Sequence, residues 1–374
     1  MKFTLSTKPL ISALDLGVIP ANVSKYYAKS CLAQLTASKS TLKINLEASL
    51  ISSKLILKGS GDVDETATVF VDCLLLKQLV STFESATTTI EYVEGGGIVL
   101  HSGSSKFNLP NMVEGVSLSL NAPSAVADAT SPSIPVKADD WKFIKDYQMY
   151  AIAMSFVYPV YTNVWLGADG SVIVGDFGQQ LFTASNKSAL GATCLVTDTI
   201  INLFNTLPEG ATLTQVGKSY LINYTSDAFT YAAEFTPKYE SDEGVGDYKS
   251  GVILGVFNKD EANHFDVPVA EVLKRLNQAE LLSANADDTI KLSIVHNGTD
   301  AVLKLVDNNT KHDIPVSGTC ADFAVDFYIA KLKSVFNNID EEVAHVSPVV
   351  DTTGAAQGIT VWTKQIAVML GGAE

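Results

Sequence analysis

The sequence predicts an α+β protein made of three copies of one unit, each with two helices packed on an antiparallel sheet. First, the chain of 374 residues is longer than a single hydrophobic core usually organises, so several domains are expected. Second, sliding the sequence along itself by about 131 residues aligns three similar openings, at Lys2, Pro132 and Asn263. Third, 47% of the residues are apolar and 18% are charged, which is typical of a folded chain.

Each copy is expected to begin with a short strand that leads directly into a helix. Alternating apolar residues indicate the strand, and Leu10 with Leu14 indicates one apolar helix face in the first copy. A second helix is predicted in every copy, with starts near Val71, Val196 and Val325. An acidic residue follows each valine, which suits the exposed N–H groups of a helix start. This alignment makes Lys77 and Lys331 equivalent.

Antiparallel strands joined by tight turns are expected to form the rest of each copy. Turn residues separate alternating apolar segments at 95–97, 169–170 and 297–298. Two polar stretches, 121–133 and 240–251, are typical of linkers. The repeat and the linkers together predict three domains, at 1–125, 132–250 and 251–374.

The composition argues against several classes of protein. The four cysteines are more than about 40 residues apart, which predicts buried thiols in a reducing cytoplasm and no zinc or disulfide framework. The five histidines are equally scattered, and no known nucleophile, metal or nucleotide motif occurs. No apolar run is long enough for a membrane span. We therefore expect a cytoplasmic protein without a cofactor, a metal site, a catalytic residue or a membrane partner.

Four segments are distinctive: MKFTLSTKPLISAL at the start, GGIVLHSGSSKFNLP at 96–110, VPVAEVLKRLNQAELLS at 267–283 and FAVDFYIAKLKSVF at 323–336. Through these segments the whole chain resembles the bacterial beta sliding clamps of DNA polymerase III. The resemblance implies three domains per chain and a homodimer closed into a ring around double-stranded DNA. It also implies a processivity factor that tethers a DNA polymerase and is loaded by a clamp loader, both through short peptide motifs.

The chain departs from this family at three points. The partner-pocket segment, usually Thr-Asp-Gly-His-Arg-Leu, corresponds to residues 176–181, which keep the glycine and leucine but lack the histidine and arginine. The chain continues after Leu370 as Gly-Gly-Ala-Glu, and Arg275 is its only arginine. These departures predict a divergent member, encoded by a bacteriophage and acting in the host cytoplasm.

The net charge of −15 opposes nucleic-acid binding unless the basic residues are concentrated on one surface. Within the predicted helices basic and acidic residues are equal in number, so the whole negative charge lies elsewhere. Lysines contact phosphates as point charges, which suits non-specific sliding, although any one of them is also explained as a solvated surface residue. The residues predicted to contact DNA are Lys8, Lys25, Lys29, Lys77, Lys137, Lys142, Lys145, Lys274, Arg275, Lys331 and Lys333.

The resemblance also implies two docking surfaces. The partner-binding pocket is predicted from Gly178, Gln179, Gln180, Leu181, Pro237, Tyr239, Ile366, Val368, Met369 and Leu370. The dimer interface is predicted from Phe107, Leu109, Leu281 and Leu282. For both surfaces the alternative is that the apolar side chains belong to the cores of their own domains.

Two other functions compete with a clamp. An enzyme with an acid pair such as Asp139 and Asp140 is disfavoured, because neighbouring residues on a helix point about 100° apart and cannot flank one substrate atom. A structural ring or interaction protein that reuses the fold without tethering DNA remains the alternative, since a fold does not determine a function.

Overall fold

The computed structural model forms two compact units, residues 1–142 with 199–237 and residues 143–198 with 238–374. The residues that the structure describes are 2–18, 32–48, 51–62, 68–93, 96–113, 120–124, 133–136, 163–166, 171–175, 180–185, 194–239, 242, 259–285, 287–297, 300–364 and 366–373. The helices in this part are α1 (Thr7–Gly17), α2 (Cys73–Ser81), α3 (Asp198–Thr206), α4 (Val269–Leu282) and α5 (Ile329–Asn337). Among the described residues, none of the helices is long and apolar enough to cross a membrane.

The first unit contains two antiparallel sheets. Its strands are β1 (Lys2–Ser6), β2 (Leu32–Ala37), β3 (Thr41–Ala48), β4 (Ile51–Lys58), β5 (Ser60–Asp62), β6 (Thr68–Asp72), β7 (Thr87–Val93), β8 (Gly97–Ser102), β9 (Ser105–Leu109), β10 (Ser133–Pro135), β15 (Thr212–Val216), β16 (Ser219–Thr225) and β17 (Phe229–Phe235). One sheet has the strand order β5-β1-β7-β8-β9 and the other has the order β10-β15-β16-β17-β4-β3-β2-β6.

The second unit contains one sheet of 13 strands. Its strands are β11 (Asn163–Leu166), β12 (Ser171–Gly175), β13 (Gln180–Ser185), β14 (Cys194–Thr197), β18 (Lys238–Tyr239), β19 (Phe265–Pro268), β20 (Thr289–Asn297), β21 (Asp300–Val306), β22 (Lys311–Gly318), β23 (Phe323–Tyr328), β24 (Val343–Val350), β25 (Ala356–Trp362) and β26 (Ile366–Gly371). They follow the order β18-β14-β11-β12-β13-β26-β25-β24-β19-β22-β21-β20-β23.

The strand order repeats three times, as the prediction of three copies of one α+β unit requires. One set of four strands occurs as β1-β7-β8-β9, β10-β15-β16-β17 and β19-β24-β25-β26. The other set occurs as β4-β3-β2-β6, β13-β12-β11-β14 and β22-β21-β20-β23. The fold class predicted from the sequence is therefore confirmed. The predicted domain boundaries stay a prediction, because strands of the middle repeat belong to both compact units.

Local sequence explains where the helices of the first unit form. In α1 the apolar side chains of Leu10, Ala13 and Leu14 recur at helical spacing and are fully buried. Helix α2 begins where the sequence predicts, because the Asp72 carboxylate accepts a hydrogen bond of 2.9 Å from the backbone N–H of Leu75. This is an ordinary N-cap, which satisfies one of the unpaired donors at a helix start.

The predicted start of the last helix is wrong. Helix α5 begins at Ile329 and not near Val325, because alternating buried side chains continue the strand β23 to Tyr328. Asp326 is consequently a strand residue, and it lies opposite Lys291 of β20. Measured from the helix starts, Lys77 of α2 is equivalent to Lys333 of α5 and not to Lys331.

The predicted cysteine state is confirmed for the described part of the chain. Cys73, Cys194 and Cys320 are buried and form no disulfide among the described residues, and Cys31 lies outside the described residues. Burial raises the pKa of the Cys194 thiol to about 12, because it shields the thiolate from water. The Cys194 thiol is therefore a poor nucleophile and a poor metal ligand in the folded chain.

We expect Gly97→Ala to be much more destabilising than Gly103→Ala, although both glycines lie in the hairpin of β8 and β9. Gly97 has φ +100°, and a Cβ there meets the Leu109 carbonyl oxygen at 2.2 Å. Gly103 has φ +57° and open space around it. Urea unfolding should give a loss of about 1–2 kcal/mol for Gly103→Ala and at least about 3 kcal/mol for Gly97→Ala. Equal losses would show that β9 yields to the added methyl group.

Candidate nucleic-acid interface and docking surfaces

The basic residues of the first unit's helices differ in their surroundings. The Lys77 ammonium of α2 forms a 2.9 Å ion pair with Asp15 of α1, so it links the two helices. Lys8, at the start of α1, is exposed and has no ion-pair partner among the described residues. Of these two lysines, Lys8 is therefore the one whose charge is left for an external anion.

The second unit repeats the link between helices. The Lys333 ammonium of α5 forms a close ion pair with Glu280 of α4. Arg275 pairs with Glu271 one turn earlier on α4 at 2.5 Å, and Lys274 lies 3.8 Å from the same carboxylate. Such exposed pairs contribute little to stability, but they reduce the positive potential that DNA would meet.

Lys331 has a different neighbour. Its ammonium lies 5.0 Å from the centre of the Tyr328 ring, in a cation–π contact. The acidic partners of Lys77 and Lys333 were not predictable from local sequence, because Asp15 and Glu280 each lie on a different helix from the lysine they pair with. A search for acids one to three turns along the preceding helix would have found both.

Several predicted residues lie outside the described part of the chain. Among the predicted DNA contacts they are Lys25, Lys29, Lys137, Lys142 and Lys145, and in the predicted pocket they are Gly178 and Gln179. Their assignment stays a prediction.

The structure brings together two of the three segments predicted for the partner pocket. Strand β13 pairs with β26, so that Gln180 lies opposite Leu370 and Leu181 lies opposite Met369. Tyr239, on β18, instead pairs with Cys194 of β14, and three strands separate β18 from β13.

Within the last strand of this pocket only some side chains are available to a ligand. Val368 and Leu370 are each 1% exposed and Ile366 is 9% exposed, so these three belong mainly to the core. Met369 is half-buried, and Pro237 is buried in the first unit. Met369 is therefore the described β26 side chain best suited to contact a peptide.

The residues predicted for the dimer interface also include both exposed and buried side chains. Leu281 and Leu282, at the end of α4, are 84% and 57% exposed. Phe107 of β9 is half-buried and stacks on Phe83 with ring centres 5.3 Å apart. Leu109 is 1% exposed, so its side chain fills the core of its own unit. The exposed leucine pair and the edge strand β9 are what remains available to a partner.

A short turn after α4 holds the exposed leucines in place. The Asp288 carboxylate accepts hydrogen bonds from the Ser283 hydroxyl at 2.8 Å and from the backbone N–H groups of Ala284 and Asn285. The Asn309 amide also donates to the Leu282 carbonyl oxygen at 3.2 Å. Asn309 lies in the turn before β22, so the leucine pair lies beside the start of that strand.

We expect Asp288→Ala to weaken folding at neutral pH and to lose this effect in acid. The hydrogen bond from Ser283, with those from the backbone of Asn285 and Ala284, lowers the pKa of Asp288 below its ordinary 3.8. A carboxylate with a lowered folded-state pKa stabilises the fold above the unfolded-state value and loses this contribution as pH falls through the folded-state value. Urea midpoints should therefore differ at pH 7 and converge as the pH falls below 3.8 and through the lowered folded-state pKa. Asp287→Ala is the control and should change neither midpoint.

Comparison with known proteins shows what the chain is similar to. No protein-family model and no curated protein matches the sequence. A protein from Eubacterium rectale, assigned as a DNA polymerase III beta subunit, superposes with TM-score 0.78 at 14% identity, over 100% of this chain and 99% of that one. The DNA polymerase sliding clamp of Bacillus subtilis gives TM-score 0.74 at 15% identity, with the same coverage.

A third solved structure is similar over its whole length. The Helicobacter pylori beta clamp, solved with a DNA ligase peptide bound, gives TM-score 0.69 at 14% identity and covers 100% of both chains. Identities this low establish the architecture and not the activity. The chain therefore has the fold of the bacterial DNA polymerase III beta sliding clamps.

Proposed function

We propose that two copies of this chain form a closed ring around double-stranded DNA and act as a sliding clamp. In this proposal the protein catalyses no reaction and holds a DNA polymerase, and other DNA-processing proteins, on the template. The observation that carries the proposal is the likeness to beta clamps over the full length of the chain. Two sheet edges, on β9 and on residues 311–316 of β22, that have no partner strand among the described residues support it.

The two edges follow from the repeated strand order. Neighbouring repeats are joined by strand pairing. Strand β17 of the second repeat pairs with β4 of the first, and β26 of the third repeat pairs with β13 of the second. The corresponding third joint would pair β9 with β22. Among the described residues β9 pairs only with β8, and residues 311–316 of β22 pair only with β21. A second copy, related by a twofold axis, supplies this joint twice and leaves neither edge open.

The register of the β17–β4 pairing predicts the register of the proposed pairing between β9 and β22. In the β17–β4 joint, Phe229 lies opposite Leu57. Phe229 lies opposite Ser226 across the turn 227–228, as Ser105 lies opposite Ser102 across the turn 103–104. The equivalent of Leu57 on β22 is Val316. Continuing this register places Asn108 of one copy opposite Asp313 of the other. Both side chains are exposed, and opposite Cβ atoms in an antiparallel pair lie about 5 Å apart.

The charges also support this function. Lys8 is exposed at the start of α1 and has no ion-pair partner among the described residues, while the excess of acid lies outside the predicted helices. Lysines bind phosphates without reading bases, which suits a ring that moves along any sequence. The contacts are weak individually, so retention on DNA depends on ring closure.

The proposed partners follow from the clamp fold. The Helicobacter pylori clamp is solved with a DNA ligase peptide, which supports short peptides as the ligands of this chain too. We propose that such peptides from a polymerase and a clamp loader dock beside Leu181 and Met369, with their apolar ends dominating the affinity. The altered segment 176–181 supports the proposal of a divergent, phage-encoded clamp that works in the host cytoplasm.

A disulfide-closed ring tests the function without a clamp loader. The double variant Asn108→Cys, Asp313→Cys is mixed with circular plasmid under reducing conditions and then oxidised. We expect the cross-linked dimer to stay on the circle in high salt and to be released when the plasmid is cut once. Plasmid that is linear from the start is the control and should retain no protein.

The same experiment separates the clamp from a structural ring. A structural ring cross-links quantitatively but is not held by circular DNA after a salt wash. Equal retention on circular and linear plasmid would also overturn the clamp, because it would mean ordinary binding. If no cross-link forms, the proposed joint of β9 with β22 is wrong.

A further inference from the structure

We propose that His264, Asp266 and His345 form a binding site for a divalent transition-metal ion such as Zn²⁺. Asp266 of β19 lies directly opposite His345 of β24 in the antiparallel ladder, so their side chains share one face of the sheet. His264 precedes β19 and is two residues from Asp266, which places it on the same face. The three side chains come from chain segments about 80 residues apart, and no motif search detects them.

The ligand atoms lie within reach of one shared metal ion. Oδ1 of Asp266 lies 2.7 Å from Nδ1 of His345 and 3.3 Å from Nε2 of His264. One ligand atom from each residue lies within 4.8 Å of the other two. In a tetrahedral zinc site with bonds of about 2.0–2.1 Å, neighbouring ligand atoms are about 3.3 Å apart. Small side-chain rotations are therefore enough to place all three around one ion.

The type and exposure of these ligands fit zinc. Two imidazoles and one carboxylate are the donors that Zn²⁺ accepts, and three protein ligands leave a fourth position for water. The side chains of His264, Asp266 and His345 are 25%, 41% and 36% exposed, so an ion reaches them from solvent without unfolding the chain.

The surroundings add charge and rigidity. The Asp260 carboxylate is close enough to His264 for their charges to interact, which adds negative potential beside the site. The indole ring of Trp362 lies 5.5 Å from the His264 ring and 5.6 Å from the His345 ring, so it limits how far the imidazoles rotate. A ligand set that is already confined loses less entropy when the ion binds.

A bound ion would cross-link the segment before β19 to β24. This cross-link would stabilise the beginning of the third repeat, which follows the predicted linker 240–251. Because an ion that binds only the folded chain shifts the folding equilibrium, we expect zinc to raise the melting temperature.

The chain offers a matched control for an ordinary hydrogen-bonded pair. His296 and Asp322 lie 2.6 Å apart in the same unit, but no third ligand completes that pair among the described residues. Removing this histidine should leave zinc binding unchanged.

Calorimetry with zinc chloride, on the full chain without an affinity tag, tests the site. We expect one ion per wild-type chain and affinity at least about 30-fold weaker in His264→Gln and in His345→Gln, because each lost ligand typically costs at least as much as a supporting partner. His296→Gln should bind like the wild type. Equal affinity in all four proteins, or no binding by the wild type, overturns the proposal.

Fluorescence quenching on the wild-type chain tests the site even if a histidine variant misfolds. Nickel chloride should quench the fluorescence of Trp362 in the wild type in a saturable manner, and zinc should compete with it. Trp362→Phe should remove the saturable part while keeping one zinc site by calorimetry. Quenching that does not saturate, or that zinc does not displace, would place the ion elsewhere and overturn the proposal.

Discussion

Replacing both Leu281 and Leu282 with aspartate is expected to convert a dimer of about 80 kDa into a monomer of 39.9 kDa. The two leucines are 84% and 57% exposed in the single chain, far more than large apolar side chains usually are. They lie beside the turn that begins β22, the strand with the open edge. A partner strand on that edge therefore brings apolar surface close to them.

The expected size of this effect follows from burial. Covering a leucine contributes about 1.5–3 kcal/mol, and a buried aspartate without a partner costs several kcal/mol more. With two leucines per joint, the dimer dissociation constant should rise by at least about a thousandfold. Light scattering at micromolar concentration measures the mass.

The same substitution at an exposed apolar residue elsewhere is the control. Val350 is 51% exposed at the end of β24, and Val350→Asp should leave the dimer intact. Circular dichroism should show that both variants keep the wild-type secondary structure. A folded Leu281→Asp, Leu282→Asp chain that remains a dimer would remove the leucine pair from the interface.

Neutralising Lys8, Lys274 and Lys331 together with glutamine is expected to weaken DNA binding and to reduce its salt dependence. Each lost phosphate contact lowers the slope of log affinity against log salt by about 0.9, so the triple variant should lose about 2–3 units of slope. Single variants should each change the slope by about one unit or less. Fluorescence anisotropy with a short duplex, at several salt concentrations, measures the slope.

The control for the triple variant changes the same total charge at a different place. Lys39, Lys43 and Lys58 are exposed lysines on or beside the strands β3 and β4. Replacing these three with glutamine should change the slope by less than one unit. If both triple variants lose the same slope, binding depends on net charge and the helices are not the DNA surface.

Features that depend on neighbours along the chain were predictable from the sequence. Helix α1 follows from the spacing of Leu10 and Leu14, and helix α2 follows from its Asp72 cap. The hairpins also follow, since β7 pairs with β8 up to Gly97 and β20 pairs with β21 up to Asn297, beside the predicted turns. Alternation, helical spacing, caps and turn residues act within a few positions, so a single sequence shows them.

The start of α5 was not predictable by the same reasoning. An acid after a valine suggests a cap, but Phe323, Val325 and Phe327 alternate into a sheet that already contains β20. Pairing with that strand outweighs the local preference for a helix start. The position of Lys333, and therefore its ion pair with Glu280, followed from this shift.

By itself the sequence determined the α+β class, the threefold repeat and the position of most helices. Only the tertiary structure decided which lysines are neutralised, that Leu109 belongs to a core, which strand edges stay open, and that His264, Asp266 and His345 meet. The physical reason is distance along the chain. Charge pairing, burial and ligand geometry depend on contacts between segments tens to hundreds of residues apart, and no local preference of the chain encodes where those segments meet.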